Sequence, residues 1–584
     1  MTSTVVTSNS LLAIDIGDIT TRAALFDVVN GRYRFLAVGT ARTTAAAPFR
    51  DVGEGVRRAL DRLQGITGRR LVDQEERLIM PGRSDGAGVD TCSATLSFGP
   101  PIRVVAVGLL EDVSLESARH LATTTYARVV DTIHLNDRRK PEERIDAILR
   151  LRPDVIAISG GTEDGASHSV LQLLESVGLA CYLIADGDKP EVLYAGNHSL
   201  AEEVQERLAS HAGLHIAPNV RPALEVEQLG PAHYRLAGIL GAVRARKVSG
   251  VQELKTWAGD HLSPTATAFG RIVRFLSRIY DPAKGVLGLD VGASATTLAA
   301  GFAGELSLGV YPQLGLGKGL TGLLRHTSLE EIARWIPLEV SYDYVRDYMY
   351  NKSIYPASLP VTEEDMAIEQ ALAREVIRTA LRLVSRSFPP QVGRSGEGLT
   401  PWFEPIMATG SVLTRAPTPG QALMILLDAL QPTGVTTLVL DQNNLAAVLG
   451  TAAQENPLLT VQVLESSTFL SLGTVISPVV AVRPGTPVLR LRLTYESGED
   501  VDLEVKQGSL EMLPLPMGKS ARVQLQPLHR ADVGMGSPGR GGKVRVMGGA
   551  LGLVIDARGR PLDLPDDLGR RQELMRKWLW TLGG

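Results

Sequence analysis

The 584-residue sequence has few of the features that mark secreted, metal-binding or nucleic-acid-binding proteins. Cys92 and Cys181 are its only cysteines, which excludes a disulfide framework and a zinc-type cysteine spacing and favours a reducing, intracellular setting. The ten histidines are scattered without the spacing of metal ligands. A net charge of −4 argues against a nucleic-acid-binding protein, because phosphate contacts usually require a basic face.

Targeting and membrane-spanning segments are also missing. The first residues, "MTSTVVTSNS", lack the charged and apolar regions of a signal peptide. The longest apolar stretch, "FLSLGTVISPVVAV" from Phe469, is short and interrupted by Gly, Ser and Pro, so it predicts no membrane span. With 44% hydrophobic and 21% charged residues, the sequence predicts a cytoplasmic, folded protein of two to four domains.

The sequence contains one motif in two copies. "LLAIDIGDITTRAALFD" begins at Leu11 and "VLGLDVGASATTLAAGF" begins at Val286. Each has an apolar run, an Asp-x-Gly, a pair of threonines and a second apolar run. A hairpin signal, Asn30-Gly31, follows the first copy. Each Asp-x-Gly is therefore predicted in the tight turn between the first two strands of a three-stranded meander.

These turns have the chemistry of a phosphate site. Backbone N–H groups of a tight turn can form a small anion-binding nest, and Gly permits positive φ and close backbone approach. Threonine hydroxyls can donate to phosphate oxygens, and Asp15 and Asp290 at the strand ends can hold Mg²⁺. The structural alternative is a strand-end Asp that accepts bonds from its own turn. Because the pattern occurs twice, we favour two lobes that clamp a polyphosphate.

The rest of the chain predicts two further regions. Strands and helices alternate between about residues 100 and 245, as in "PDVIAISGGTEDG" and "ACYLIADGD", which predicts a parallel sheet with covering helices. Beyond about Pro484, period-two strands separated by Gly turns predict an antiparallel barrel or sandwich. A final amphipathic helix carries Trp578 and Trp580, which either pack on their own domain or dock a partner. The predicted regions are 1–285 with the insertion, 286–483 and 484–584.

The duplicated pattern resembles the phosphate motifs of the actin-like ATPase fold, shared by actin, sugar kinases and the large heat-shock chaperones. "IMATGSVLT" resembles the adenosine motif of that fold, and "NNLAAVLGTAA" resembles its second connecting helix. The resemblance implies an α/β fold class: duplicated actin-like ATPase (ribonuclease H-like) lobes with a C-terminal all-β domain.

A narrower family fits better. "PDVIAISGGTEDG", "YAGNHSLAEEVQERL", "IAPNVRP", "LSPTATAFGRIVRF" and "VLGLDVGASATT" occur in the order found in the GlmL/MutL family, which is unrelated to the mismatch-repair protein of the same name. The similarity extends from about Leu11 to Ala481. It implies an ATP-binding accessory protein, a reactivase or chaperone, whose partner is an adenosylcobalamin-dependent mutase such as glutamate mutase.

The resemblance also implies site residues. Asp15 and Asp290 are the candidate metal ligands, with ATP and Mg²⁺ as the implied cofactors. The candidate nucleotide-binding residues are Asp15, Gly17, Thr20, Thr21, Gly160, Gly161, Thr162, Asp290, Gly292, Thr296, Thr297, Thr409, Gly410 and Ser411.

Several positions depart from the family pattern. Ala293 replaces the second Gly of the second phosphate motif, and Leu298 replaces its trailing acid. Asp18 adds a negative charge to the first motif, where a small residue is more usual, and Gly410-Ser411 replaces a Gly-Gly. These departures favour a weak ATPase with degenerate motifs and leave its catalytic residue unidentified, because phosphoryl transfer needs positioned metal and water.

Three functions follow from these observations. The first is an ATP-dependent reactivase or chaperone of an adenosylcobalamin mutase that couples nucleotide state to lobe closure. The second is a catalytically inactive actin-like scaffold that forms dimers or filaments, which the eroded motifs favour. The third, a small-molecule kinase of the same fold, lacks an evident substrate-binding acid and ranks last.

Overall fold

The computed structural model describes residues 9–584, in which helices and strands alternate along most of the chain. The strands are β1 (Leu11–Ile16), β2 (Thr20–Val29), β3 (Arg32–Arg42), β4 (Thr91–Leu96), β5 (Ile102–Val107), β6 (Ala127–Ile133), β7 (Val155–Ile158), β8 (Glu191–Tyr194), β9 (Gly213–Ile216), β10 (Leu262–Pro264), β11 (Gly285–Val291), β12 (Thr296–Phe302), β13 (Glu305–Tyr311), β14 (Phe403–Thr409), β15 (Gly434–Leu440), β16 (Leu470–Ser477), β17 (Pro487–Tyr495), β18 (Asp500–Lys506), β19 (Leu510–Leu513), β20 (Ser520–Pro527), β21 (Gly542–Met547) and β22 (Leu553–Asp556). The α-helices are α1 (Gly53–Thr67), α2 (Glu116–Thr123), α3 (Pro141–Leu151), α4 (His168–Leu183), α5 (Ala201–Leu208), α6 (Gly230–Lys247), α7 (Val251–Ala258), α8 (Thr265–Ile279), α9 (Leu329–Ala333), α10 (Tyr342–Ile354), α11 (Glu363–Val384), α12 (Ser411–Thr414), α13 (Pro419–Leu430), α14 (Leu445–Ala452), α15 (Pro457–Leu464) and α16 (Leu568–Thr581).

The two copies of the sequence pattern form the same sheet. In the first lobe the strand order is β10-β4-β1-β2-β3, and in the second lobe β13-β12-β11-β14-β15 begins the corresponding sheet. In both, an antiparallel three-stranded meander is continued by two parallel strands. Asn30 and Gly31 adopt positive φ in the predicted hairpin turn. This duplicated arrangement is the actin-like, ribonuclease H-like fold predicted from the sequence.

Two helices, α8 and α14, pack against each other where the lobes meet. A Cβ on Gly450 of α14 would lie 1.9 Å from the Ala268 carbonyl oxygen of α8, so only glycine permits this approach. In "LSPTATAFGRIVRF", the Ser-Pro pair predicts a helix capped by Ser263, and this prediction is wrong. Leu262–Pro264 instead pair with β4 as a short edge strand, and the helix begins at Thr265.

The inserted segment forms a separate five-stranded sheet in the order β6-β5-β7-β8-β9. All of its strand pairs are parallel, as the alternation of strands and helices predicted. The strand predicted at "ACYLIADGD" is wrong, because α4 continues to Leu183. Val170, Leu174, Val177 and Cys181 lie on one buried face of this helix at helical spacing, and that packing outweighs the local apolar run.

The C-terminal strands divide between two sheets. β18-β17-β20-β21 form an antiparallel four-stranded sheet, whereas β22 pairs with β16 and β19 pairs with β22, so the second-lobe sheet has eight strands. The predicted domain boundaries stay a prediction, but the last region shares a sheet and a hydrophobic core with the second lobe. Trp578 of α16 is 6% exposed within the core of the second lobe, and Trp580 is 80% exposed.

A buried charge network strengthens this connection. Arg558 donates to Asp556 and to Asp428 of α13, and Arg374 of α11 also donates to Asp428. Burial alone would raise the pKa of Asp556, but Arg558 and Arg560 hold that pKa well below its usual range. These buried ions satisfy one another, which is the condition under which charges are tolerated in a protein core. No helix within residues 9–584 combines the length and hydropathy needed to cross a bilayer.

Candidate functional site

A cleft of about 310 Å³ lies between the two lobes, at the ends of β1 and β11 where the two Asp-x-Gly turns face each other. This volume is at the lower end of the range for small-molecule sites. Seven of the predicted site residues line the cleft: Asp15, Gly17, Thr20, Asp290, Gly292, Gly410 and Ser411. The cleft thus brings together both predicted phosphate turns and the predicted adenosine turn.

The two turns have the same internal geometry. The Gly17 N–H donates to the Thr20 carbonyl oxygen at 3.0 Å, and the Gly292 N–H donates to the Ala295 carbonyl oxygen at 2.9 Å. Neither glycine has positive φ, which corrects the expectation from the sequence. Glycine is needed for close approach instead, because a Cβ would lie 3.1 Å from the Thr20 oxygen or 2.9 Å from the Ala295 oxygen.

Donors remain at the tip of each turn. The backbone N–H groups of Asp18 and Ile19 in the first turn, and of Ala293 and Ser294 in the second, donate to no group within residues 9–584. All four residues line the cleft. The glycine N–H groups are used inside the turns, so the donors available to an anion are the two that follow each glycine.

Asp15 is held by partners on every side. Arg22 Nη1 lies 3.2 Å from Asp15 Oδ2, and the Thr95 hydroxyl donates to Oδ1 at 2.8 Å. Longer contacts reach it from the Thr265 hydroxyl at 3.3 Å and the Asn444 amide at 3.5 Å. With 2% of its surface exposed, Asp15 is a buried, fully compensated carboxylate.

Asp290 occupies the matching place in the second lobe, and its side chain has no hydrogen-bond or ion-pair partner among residues 9–584. It is partly buried and lines the cleft. Burial raises the pKa of Asp290 to about 7, and the neighbouring charge of Asp15 adds to the effect, while Arg22 opposes it. A buried carboxylate that has no ion-pair partner favours binding of either a proton or a metal ion.

The two carboxylates suit magnesium better than metals that require several protein ligands. No group of three or more His, Cys, Asp or Glu residues that could hold a metal occurs in the part of the chain that the structure describes. Mg²⁺ is commonly held by one or two carboxylates with retained waters and substrate phosphates. The carboxylate of Asp290, which has no ion-pair partner and lies beside Asp15, fits that ligand set, since a cation would compensate its buried charge and the repulsion from Asp15.

Three of the predicted threonines use their hydroxyls inside the protein. Thr21 bonds to the hydroxyl of Thr43, and Thr296 donates to the Leu314 carbonyl oxygen at 2.8 Å. Thr409 donates to the Asn444 side-chain oxygen at 2.6 Å. These residues are buried beneath the cleft rather than on its lining, so they brace the strands that carry the turns.

Thr297 leads to a residue that the sequence pattern missed. Its side chain contacts the hydroxyl of Tyr126, which precedes β6 in the inserted segment and lines the cleft. Burial raises the pKa of Tyr126 far above its usual range, and the charges of Asp290 and Asp15 add to this, so the phenol stays protonated. Tyr126 lies in "TTTYARVV", where no local signal distinguishes it from a core residue.

Gly160, Gly161 and Thr162 are not among the described residues that line the cleft. They follow β7 in the inserted parallel sheet, where the Asn219 amide donates to the Gly161 carbonyl oxygen at 3.0 Å. Gly161 has a φ of 72°, which favours glycine in this loop. Their role as nucleotide ligands stays a prediction.

Two buried residues from the second lobe also line the cleft without any signal in the sequence pattern. Lys352 donates to Glu369 Oε2 at 2.9 Å, and the Tyr348 hydroxyl donates to the same oxygen at 2.5 Å. Lys352 and Glu369 belong to α10 and α11, so helix packing rather than a local motif brings them together. Arg415, beside the Gly410-Ser411 turn, lies at the edge of the cleft.

The strand order and the cleft between two equivalent turns define a protein of the actin-like fold. The chain belongs to the MutL protein family, whose sequence model matches residues 11–468. A curated relative, the protein MutL of Clostridium tetanomorphum, is 21% identical over 357 residues, which cover 55% of this chain and 72% of that protein.

Two solved structures are similar at low identity. The ethanolamine utilization protein EutJ from Carboxydothermus hydrogenoformans is 9% identical, with a TM-score of 0.28, and the match covers 77% of this chain and 91% of that one. A glycerol dehydratase reactivase is 12% identical, with a TM-score of 0.30, and the match covers 77% of this chain and 100% of that one.

Proposed function

We propose that this protein is a cytoplasmic, nucleotide-dependent accessory protein that reactivates or protects an adenosylcobalamin-dependent mutase. The observation that carries the nucleotide part is the cleft in which two equivalent turns present free N–H donors on either side of an uncompensated carboxylate, Asp290. Membership of the MutL family supports the accessory role.

In this proposal the cleft binds ATP together with Mg²⁺. The N–H groups that follow Gly17 and Gly292 bind the phosphates from both lobes, and the Gly410-Ser411 turn receives the adenosine. Asp290 and Asp15 hold the metal, which when bound neutralises phosphate charge. Because the ligand contacts both lobes, its binding and release shift the equilibrium between open and closed cleft.

Hydrolysis, if the protein performs it, is slow in this proposal. Leu298 stands where the family motif has an acid, so that position offers neither a metal ligand nor a base. The pKa of Asp290, raised to about 7, suits a group that accepts a proton from water. A metal ion on Asp290 would lower that pKa, so one side chain cannot serve both roles at once.

Calorimetry tests the nucleotide part directly. Mg-ATP should bind the wild-type protein, and Asp290→Asn should weaken that binding at least about tenfold through loss of a metal-directed charge. Asp146→Asn, on the exposed face of α3, is the matched control and should bind as the wild type does. Equal binding by wild type and Asp290→Asn would remove Asp290 from the site, and no binding by the wild type would reject the nucleotide part.

The partner is tested separately. An adenosylcobalamin-dependent mutase is inactivated with cyanocobalamin, then incubated with free adenosylcobalamin, Mg-ATP and this protein. Recovery of mutase activity that requires both ATP and the protein supports reactivation. If the protein neither binds the mutase nor changes its recovery, the accessory role is rejected even where ATP binds.

A catalytically inactive scaffold is the second candidate, and the engaged hydroxyls of Thr21, Thr296 and Thr409 favour it. A protein that keeps the actin-like fold, but whose threonine hydroxyls bond within the protein rather than to a ligand, could assemble into dimers or filaments. Light scattering and negative-stain images with and without Mg-ATP separate the two functions. Assembly that is independent of nucleotide, together with no calorimetric heat, would select the scaffold.

A further inference from the structure

A glycine-rich loop of the second lobe, Gly315–Gly319, lies directly on the second phosphate turn. A Cβ on Gly315 would lie 2.6 Å from the Ala293 carbonyl oxygen, and a Cβ on Gly317 would lie 2.7 Å from the same oxygen. The Leu316 N–H donates to the Gly292 carbonyl oxygen at 3.0 Å. The only charged residue of this loop, Lys318, is therefore held in a fixed place beside the turn.

The side chain of Lys318 contacts the first lobe. Its Nζ lies 3.0 Å from Oδ2 and 3.2 Å from Oδ1 of Asp18, at the tip of the first phosphate turn. The Asp18 side chain is 4% exposed, whereas the Lys318 side chain is 52% exposed. The ammonium group thus stands between the two turns with about half of its side chain open to solvent.

Asp18 does not depend on Lys318 alone. The Gly99 N–H donates to Asp18 Oδ1 at 3.1 Å. Behind it, burial lowers the pKa of Arg244 to about 10, and the charge of Asp18 is the main interaction that opposes this shift. Arg244 stacks over the Phe98 ring at 5.7 Å, which fixes this second cation close to the first turn.

We propose that Lys318 is the residue that binds the terminal phosphates of a polyphosphate ligand, and that its ion pair with Asp18 closes the ligand-free cleft. Asp18 then supplies a resting partner, and phosphate competes with it for the ammonium group. Arg244 and the Gly99 N–H stabilise Asp18 after Lys318 has moved to the phosphate. The inference rests on the proposed nucleotide function but names a separate residue of the second lobe, Lys318.

The decisive test compares ligands of different phosphate content on Lys318→Gln. We expect inorganic tripolyphosphate and Mg-ATP to bind about 10- to 100-fold more weakly than to the wild type, because a charge-assisted contact is lost. Adenosine, which has no phosphate, should bind equally to both. Lys255→Gln, an exposed lysine of α7, is the control and should bind every ligand as the wild type does.

Asp18→Asn should act in the opposite direction. The amide oxygen still accepts from Gly99, but the competing charge is gone, so tripolyphosphate should bind more tightly, by about three- to tenfold. In the Lys318→Gln background the same substitution should gain less, because the freed ammonium is absent. Thermal unfolding shows whether Asp18→Asn is folded, and the Lys318→Gln result stands without it.

The outcomes separate this inference from the proposed function. If the wild type binds Mg-ATP and Lys318→Gln binds it equally well, the inference is overturned and the nucleotide function stands. If tripolyphosphate binds through Lys318 while ATP does not bind, the inference stands and the nucleotide function fails. If the wild type binds neither, both are rejected.

Discussion

The two Asp-x-Gly turns have the same backbone geometry but differ in the charges around their aspartates. Asp15 and Asp290 occupy equivalent register positions, but the residue paired with Asp15 on the neighbouring antiparallel strand is Arg22, and the residue paired with Asp290 is Thr297. Because the position of Arg22 in the first copy is occupied by Thr297 in the second, Asp15 has an ion-pair partner and Asp290 has none. The two copies therefore share their backbone geometry, whereas the charged residues around each aspartate differ between them.

The parallel neighbours differ in a subtler way. Thr95 lies beside Asp15 and Thr409 beside Asp290, so the residue type is the same in both lobes. The Thr95 hydroxyl donates to Asp15, but the Thr409 hydroxyl turns to Asn444. Asn444 in turn reaches Asp15 at 3.5 Å, so even the second lobe contributes to stabilising the first carboxylate. The following predictions test this asymmetry, from the largest expected effect to the smallest.

Removing the compensated carboxylate should cost the most. Asp15→Ala leaves Arg22 without its ion-pair partner and the Thr95 hydroxyl without its acceptor. We expect the free energy of unfolding to fall by about 3 kcal/mol, as for other broken buried pairs. Urea denaturation at pH 7 measures it, and a loss below about 1 kcal/mol would contradict the idea that Asp15 is structurally required.

Removing the charge of Asp290 should instead raise the free energy of unfolding. Because the pKa of folded Asp290 is about 7 and its unfolded value is 3.8, the folded state binds more protons between these values. Its contribution to stability is therefore complete below about pH 4 and is lost as the pH rises towards 7. Asp290→Asn should stabilise the protein by about 2 kcal/mol at pH 8, a value discounted for partial exposure.

The measurement is the difference in unfolding free energy between Asp290→Asn and wild type, from about pH 4 to about pH 8. The difference should grow with pH and level off above about pH 7. A flat difference would mean that Asp290 is not perturbed. Saturating Mg²⁺ should shrink the gain at the high end of this range, since a cation bound to the wild type stabilises the ionised carboxylate.

Replacing Arg22 by the residue type of the second lobe should leave Asp15, like Asp290, without an ion-pair partner. Arg22→Thr copies the Thr297 position into the first lobe and leaves Asp15 without its cation. We expect a loss of about 1 to 2 kcal/mol at pH 7. Arg22 also opposes the upward shift at Asp290, so the pH dependence assigned to Asp290 should move to higher pH. An unchanged midpoint would show that the two turns are electrostatically independent.

The threonine pair should give the smallest effects. Thr95→Val removes one hydrogen bond to Asp15, and Thr409→Val removes one to Asn444, so each should cost about 1 kcal/mol. Thr409 makes no bond to Asp290, and Thr409→Val should leave the pH dependence of stability unchanged. A shift of that dependence in Thr409→Val would reveal coupling between the Gly410-Ser411 turn and the Asp290 carboxylate.

Much of this site follows from the sequence, because its main parts are local. An apolar run, Asp-x-Gly and a second apolar run specify a turn between two strands, so the pattern alone places Asp15 and Asp290 at equivalent strand ends. The turn at Gly410, the predicted adenosine turn, likewise follows from a short motif. Each of these depends only on residues within a few positions of one another.

The missed residues come from elsewhere in the chain. Tyr126, Lys352 and Glu369 reach the cleft through the packing of the inserted segment, α10 and α11, which no local pattern encodes. Lys318 is an ordinary lysine in the sequence, and only the packing of its loop against the second turn brings it to Asp18 of the first turn. The error at "ACYLIADGD" has the same origin, because helix α4 is set by its whole buried face rather than by one apolar run.

The eight-stranded sheet of the second lobe connects the cleft with a distant edge of the molecule. Asp290 lies near the end of β11, and β19, five strands further on, is the far edge of the same sheet. At the usual spacing of strands this edge lies about 24 Å from β11. A lobe rotation of about 10° at the cleft would sweep that edge through about 4 Å. β19, β22 and α16 would travel with it, so a small movement at the cleft would become a larger displacement at a distant surface.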